Sequence, residues 1–128
     1  MRTVLDTSVL VHGGFEHLDG ELAISAVSLA ELHFGVLVAS DDDRRAQRLQ
    51  RVALVERLFE PLAVDSAVAR SYGRLAAQVV RGRRQPSRRA FDLLIAATAL
   101  AHGARLCTHD EDLAGLAGTL EIVVPARP

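Results

Sequence analysis

Five short, mostly apolar runs punctuate this chain, at Thr3–Leu5, Leu22–Ala26, Leu62–Val64, Arg105–Thr108 and Leu120–Val124. Continuous apolar runs of this length read as strands buried on both faces, and strands reached through helices pair in parallel. The stretches between them carry helix-start and helix-stop signals. Asp6 ends the first run, Ser8 to His12 opens a helix, and Gly13-Gly14 stops it. Ser28 and Glu31 have the spacing of a capping box for a helix from Leu29 to about Ala39. Ser40 and Asp41-Asp42-Asp43 precede a helix from Arg44 to Phe59, whose apolar face is expected at Leu49, Val52, Ala53 and Leu58. Pro61 interrupts, and Asp65 is placed to cap Ser66 to Arg81. A polar loop, Gly82 to Ser87, leads to an alanine-rich helix from Ala90 to His102, closed by Gly103. A short helix, Asp112 to Leu116, precedes the last run. The alternation predicts an α/β sandwich built on a parallel sheet.

At 128 residues the chain is expected to be one domain, 1–128, large enough for a core of its own. No apolar run approaches the roughly 18 residues of a membrane span, and no signal segment opens the chain, so a soluble, cytoplasmic protein is expected. The single Cys107 excludes an internal disulfide and a cysteine zinc site, and its surroundings read as a buried strand thiol. Every basic residue is arginine, which excludes a Schiff-base lysine, a P-loop lysine and a lysine general base.

Four acidic residues stand at the ends of these elements inside apolar text. They are Asp6 in Val4-Leu5-Asp6-Thr7-Ser8, Glu31 in Leu29-Ala30-Glu31-Leu32, Asp92 in Phe91-Asp92-Leu93-Leu94, and Asp110 in Thr108-His109-Asp110-Glu111-Asp112. Each has a plainer reading alone: a strand end, half of a capping box, a first-turn acid, a turn residue. Together they are harder to dismiss. Sites in open parallel sheets form beyond the carboxyl ends of the strands, where Asp6 and Asp110 fall. Helix N-termini at Glu31 and Asp92 lower the cost of gathering the charges there. Clustered carboxylates take up protons or hard divalent ions such as Mg²⁺ and Mn²⁺, which points to metal-dependent phosphodiester chemistry. The net charge of −1 hides the consequence that, with these acids and Asp112 set aside, the remaining chain is net positive.

Arg81, Arg83, Arg84, Arg88 and Arg89 crowd the approach to the Asp92 helix, where they are placed to grip phosphates; the plainer reading is a solvated loop. His33 and His109 neighbour the acids in sequence, but neighbours on a helix or turn point elsewhere. His12, His17 and His102 read as loop or helix-end residues.

The segments Leu5-Asp6-Thr7-Ser8-Val9-Leu10, Ser28 to Leu32, Asp92 to Ala99 and Leu106 to Leu113 occur in the order and spacing of PIN-domain proteins. The chain resembles the compact VapC-type toxins of bacterial toxin–antitoxin pairs along essentially its whole length. That resemblance implies a three-layer sandwich around a central, mostly parallel five-stranded sheet, and a Mg²⁺- or Mn²⁺-dependent endoribonuclease. Matched position by position, Asp6, Glu31, Asp92 and Asp110 are the acidic quartet. Asp6, Asp92, Asp110 and Asp112 are the expected ligands of one or two ions, and Ser8 and Thr108 the orienting hydroxyls. Water activated by metal would attack the phosphorus. The implied partners are an RNA substrate, a small antitoxin that blocks the site along the helices Leu29 to Ala39 and Arg44 to Phe59, and a second copy of the chain. Two departures stand out: the loop Arg81 to Arg89 is unusually basic, and Asp110 replaces a frequent Asn.

Rival classes fit less well. A receiver domain needs paired acids before its first helix and a late lysine, and a haloacid-type phosphatase needs an acid where Ser8 stands. A PIN-like module without catalysis, binding RNA or protein, is the remaining alternative.

Overall fold

The computed structural model describes residues 1–116 and 120–126. Four strands form one sheet in the order β2-β1-β3-β4, with β1 at Arg2–Leu5, β2 at Glu21–Ala23, β3 at Arg105–Cys107 and β4 at Ile122–Val123. All three pairings are parallel; Val4 sits opposite Ala23 on one side and Leu106 on the other, and Cys107 opposite Val123. The helices are α1 Thr7–His12, α2 Ala26–Leu37, α3 Asp42–Leu58, α4 Ser66–Arg81, α5 Ala90–Ala101 and α6 Glu111–Leu116, with a 3₁₀ turn at Pro86–Arg89 leading into α5.

The period of two along β1 makes the three layers. Val4 packs with Val68, Leu75 and Val79 of α4 and with Leu93, Ile95 and Ala96 of α5. Leu5 turns to the opposite face and packs with Leu32 and Val36 of α2, Val52 and Val55 of α3, and Cys107. Leu5, Ile24, Leu93 and Ile95 are completely buried, each contributing about 1.5–3 kcal/mol. Its own small residues let α5 lie flat on the sheet, with Ala96, Ala97, Thr98 and Ala99 all buried. Gly103 follows at φ 60, the left-handed position expected beyond the helix end. Burial pushes the Cys107 thiol up to about 11, as expected for an inert core thiol.

Three local expectations are corrected. Leu62–Val64 is not a fifth strand: Leu62 alone bridges Ser25, its N–H donating to Ile24 O at 2.8 Å while its carbonyl accepts from Ala26 N at 2.9 Å. Pro61 has no N–H to extend the ladder on one side, and the turn into Asp65 takes Val64 out to solvent on the other. Helix α2 starts earlier, with Ser25 rather than Ser28 as its cap, accepting from Val27 N at 3.0 Å. The buried face of α3 is Val52 and Val55, whereas Leu49 and Leu58 lie exposed. Asp65 caps α4 as expected, accepting from Val68 N at 3.0 Å. No helix among the described residues is long and apolar enough to cross a membrane.

Candidate active site

Asp6 directly follows β1 and precedes α1. Its N–H donates to Cys107 O at 2.9 Å, and its carbonyl accepts from Val9 N at 2.9 Å to begin α1. The side chain does not cap that helix. It is drawn sideways along the sheet edge, where Oδ2 accepts from Thr108 Oγ1 at 2.7 Å and from Ser8 Oγ at 2.9 Å. Asp6 is only 3% exposed, and its Oδ1 is buried with no hydrogen-bond donor. The two hydroxyls also join the neighbouring loop: Ser8 Oγ accepts from His109 N at 3.2 Å, and Thr108 Oγ1 accepts from Asp110 N at 3.0 Å.

The other three acids face the same edge. On α2, Glu31 Oε1 accepts from Thr7 Oγ1 at 2.7 Å, and that hydroxyl also pairs with Ser28 Oγ at 2.9 Å. Burial raises the Glu31 carboxyl above its usual range; the Thr7 bond opposes this, and the charges of Asp92 and Asp6 add to it. In the first turn of α5, Asp92 is likewise pushed up by burial; Arg89 opposes this, and Asp6 and Asp110 add to it. Asp110 caps α6, its Oδ1 accepting from Leu113 N at 3.1 Å. The four acids therefore share one electrostatic neighbourhood.

Arg89 lies within it. Its Nε donates to Asp92 Oδ2 at 2.7 Å and its Nη2 to Asp110 Oδ2 at 2.5 Å, with the side chain 24% exposed. Sequence reasoning grouped Arg89 with the exposed arginines, because the loop hides how far a long side chain folds back. Arg83, Arg84 and Arg88, with Val79, Gln85 and Arg89, line an adjoining cavity of about 410 Å³, and Arg81 does not. A smaller space of about 330 Å³, lined by Glu31 and Asp92 among others, shares Arg88 and Arg89 with the basic cavity.

Asp112 is exposed on α6, beside Gln78, Gly82 and Arg84 in a separate cavity of about 310 Å³. Among the described residues nothing ties it to the quartet. Thr7 was missed as the holder of Glu31, with Ser28 as its own partner; the available signal was three consecutive polar residues, Asp6-Thr7-Ser8, directly behind an apolar strand. Arg48 and Arg51 were missed too; they share a recess with Thr7 and Glu31. The histidines do turn elsewhere: His33 Nε2 is 3.1 Å from Glu56, and the His109 ring meets Gly13 O at 2.8 Å and packs edge-on to His12.

The donor set is all oxygen, the preference of Mg²⁺ and Mn²⁺, and the unpartnered Asp6 Oδ1 is an atom that a cation would satisfy. The residues fit such an ion in kind, although among the described residues no three acid, His or Cys side chains converge on one point.

The chain is similar to known proteins along most of its length. The PIN domain model matches residues 3–118. Ribonuclease VapC4 of Mycobacterium tuberculosis is 37% identical over 122 residues, covering 90% of this chain and 91% of its own. Ribonuclease VapC5 of the same organism is 38% identical over 128 residues, covering 94% and 92%. The crystal structure of VapBC-5 from Mycobacterium tuberculosis, a member of the VapBC family of toxin–antitoxin systems, superposes with a TM-score of 0.84 at 38% identity, covering 99% of this chain and 98% of that one. VapBC2 from Rickettsia felis shares the fold at 22% identity, with a TM-score of 0.80 over 98% of this chain and all of its own.

Proposed function

The chain belongs to the PIN-domain family, in its VapC branch, and from that membership we propose that it is a divalent-metal-dependent endoribonuclease serving as the toxin of a toxin–antitoxin pair. The observation that carries the metal-dependent reading is the buried Asp6 carboxylate, one oxygen held by two hydroxyls and the other without a donor, amid three further acids. Asp6, Asp92 and Asp110 would hold the ion. Glu31, kept in place by Thr7, would orient the attacking water or take its proton. Ser8 and Thr108 fix the Asp6 rotamer. A bound Mg²⁺ or Mn²⁺ supplies an activated water and neutralises charge at the phosphate. Arg83, Arg84 and Arg88 would hold flanking phosphates in the basic cavity. With one tyrosine and four phenylalanines in the chain, stacking on bases is a minor part of recognition.

Control would come from a small antitoxin that blocks the site. The solved VapBC assemblies support such a partner, and so do the exposed Phe34, Leu37, Leu49, Leu54 and Leu58 on α2 and α3. A homodimer acting on RNA in the cytoplasm completes the reading. The test is cleavage of total cellular RNA by the purified chain with Mn²⁺ or Mg²⁺, beside Asp92→Asn and an EDTA control. Discrete fragments that need both metal and Asp92 are expected. No metal-dependent cleavage by a folded, antitoxin-free sample would favour the non-catalytic binding module.

A further inference from the structure

Arg89 does more than border the acids. One guanidinium bridges Asp92 and Asp110, taking Oδ2 of each, while Asp6 Oδ1 is left without a donor. Among the described residues no three ligating side chains converge. An ion held by Asp6, Asp92 and Asp110 together would compete with Arg89 for these carboxylates, since Arg89 takes Oδ2 of Asp92 and of Asp110, and Leu113 N already takes Oδ1 of Asp110. The two arrangements are alternative ways of neutralising one cluster.

We propose that Arg89 is a built-in cation that the site exchanges for its divalent ion, a role that rests on the metal-dependent reading above. With no metal bound, the guanidinium holds Asp92 and Asp110 against their mutual repulsion. When the ion binds, Arg89 withdraws. The geometry gives it somewhere to go: it ends the 3₁₀ turn Pro86–Arg89, is partly exposed, and lines the 410 Å³ cavity shared with Arg83, Arg84 and Arg88. The displaced guanidinium thus joins the arginines placed to meet phosphate, so loading of metal strengthens the grip on RNA. Only an arginine has the two-armed geometry to span both carboxylates.

The test is a Mn²⁺ titration followed by the electron paramagnetic resonance signal of free ion, on wild type, Arg89→Gln, Arg89→Lys and Asp92→Asn, with thermal unfolding in EDTA alongside. If Arg89 competes with the ion, Arg89→Gln binds Mn²⁺ about tenfold more tightly than wild type, the scale of losing one charge-assisted hydrogen bond. It also unfolds at a lower temperature than wild type in EDTA. Should that variant fail to fold without metal, Arg89→Lys gives the answer. Its point charge cannot bridge both acids, and it tightens Mn²⁺ binding about threefold, an order-of-magnitude share of the same competition. Equal or weaker Mn²⁺ affinity in the variants, with wild type binding and Asp92→Asn failing to bind, overturns the exchange alone. Binding by none of the chains overturns the exchange together with the metal-dependent reading.

Discussion

Replacing Asp6 by Asn is expected to make the metal-free protein more stable, because the native carboxylate is held there at a cost. The substitution keeps the shape and the hydroxyl contacts of a residue that is 3% exposed. On the unfavourable side, the bonds from Thr108 Oγ1 and Ser8 Oγ change from charge-assisted to neutral, a loss of about 0.5–1 kcal/mol each. On the favourable side, the buried charge disappears, but the amide N–H₂ that takes the place of the donor-free Oδ1 is buried too, so about 1 kcal/mol of a desolvation penalty of about 1–3 kcal/mol is recovered. Repulsion with Glu31 and Asp92 also goes. A like-charged pair at 4 Å costs about 4 kcal/mol at an effective dielectric of about 20, less as distance and solvent screening grow, so about 2 kcal/mol for both pairs is reasonable. The balance is a gain of about 1.5 kcal/mol, or roughly 5–6 °C in Tm for a domain of this size. The assay is thermal unfolding by circular dichroism at pH 7.5 in EDTA, repeated with Mn²⁺. Wild type should be the less stable chain in EDTA, and the variant should lose the stabilisation by Mn²⁺. A lower Tm for Asp6→Asn in EDTA would refute the reasoning, since the hydroxyl bonds would then outweigh the stored repulsion.

The raised carboxyls set a pH dependence. Glu31 and Asp92 bind protons more readily folded than unfolded, so stability from their protonated forms is complete below the ordinary values of 4.5 and 3.8 and is lost as pH rises through the higher folded values. In EDTA the Tm should therefore fall on going from the ordinary carboxylate range towards neutrality, and Glu31→Gln should flatten that fall; an unchanged profile would remove Glu31 as its source. Reversing charge at Arg84 and Arg88 together, in an Asp92→Asn background that cannot turn over RNA, should weaken single-stranded RNA binding at least tenfold and reduce the slope of log K against log salt by about 1.4, or about 0.7 per phosphate contact. An unchanged slope would return these arginines to the status of a solvated loop.

The parallel sheet and the shared edge of the acids were legible because both follow from local order: a strand ends, a helix begins, and the carboxyl rim collects what lies between. The failures occur where two local signals compete. Ser25 and Ser28 both have capping chemistry, and the winner is the one buried against Thr98 Oγ1 at 3.4 Å, freeing Ser28 for Thr7. On α3 the choice between Val55 and Leu58 as the inward residue depends on where the sheet lies, which the helix's own pattern does not contain. Arg83 takes φ 60, a left-handed turn costing about 1–2 kcal/mol that no glycine signal announces. Arg89 could not be separated from Arg88 by any sequence rule, because its partner Asp110 is 21 residues away.

Among the described residues, each Ser or Asp that directly precedes a helix caps it, with one informative exception. Ser25, Asp41, Asp65 and Asp110 each turn a side-chain oxygen onto a backbone N–H of the helix they precede. Asp6 occupies the same position before α1 and does not. A cap is worth about 1 kcal/mol, so its carboxylate forgoes that stabilisation and leaves a buried oxygen unpartnered as well. Thr108 and Ser8 fix it in the uncapped rotamer, and neither hydroxyl reaches the second oxygen. Local folding forces would not choose this conformation over a capped one. A cation that satisfied Oδ1 would, and that is what the proposed metal site asks of Asp6, the one helix-preceding Asp among the described residues that does not cap its helix.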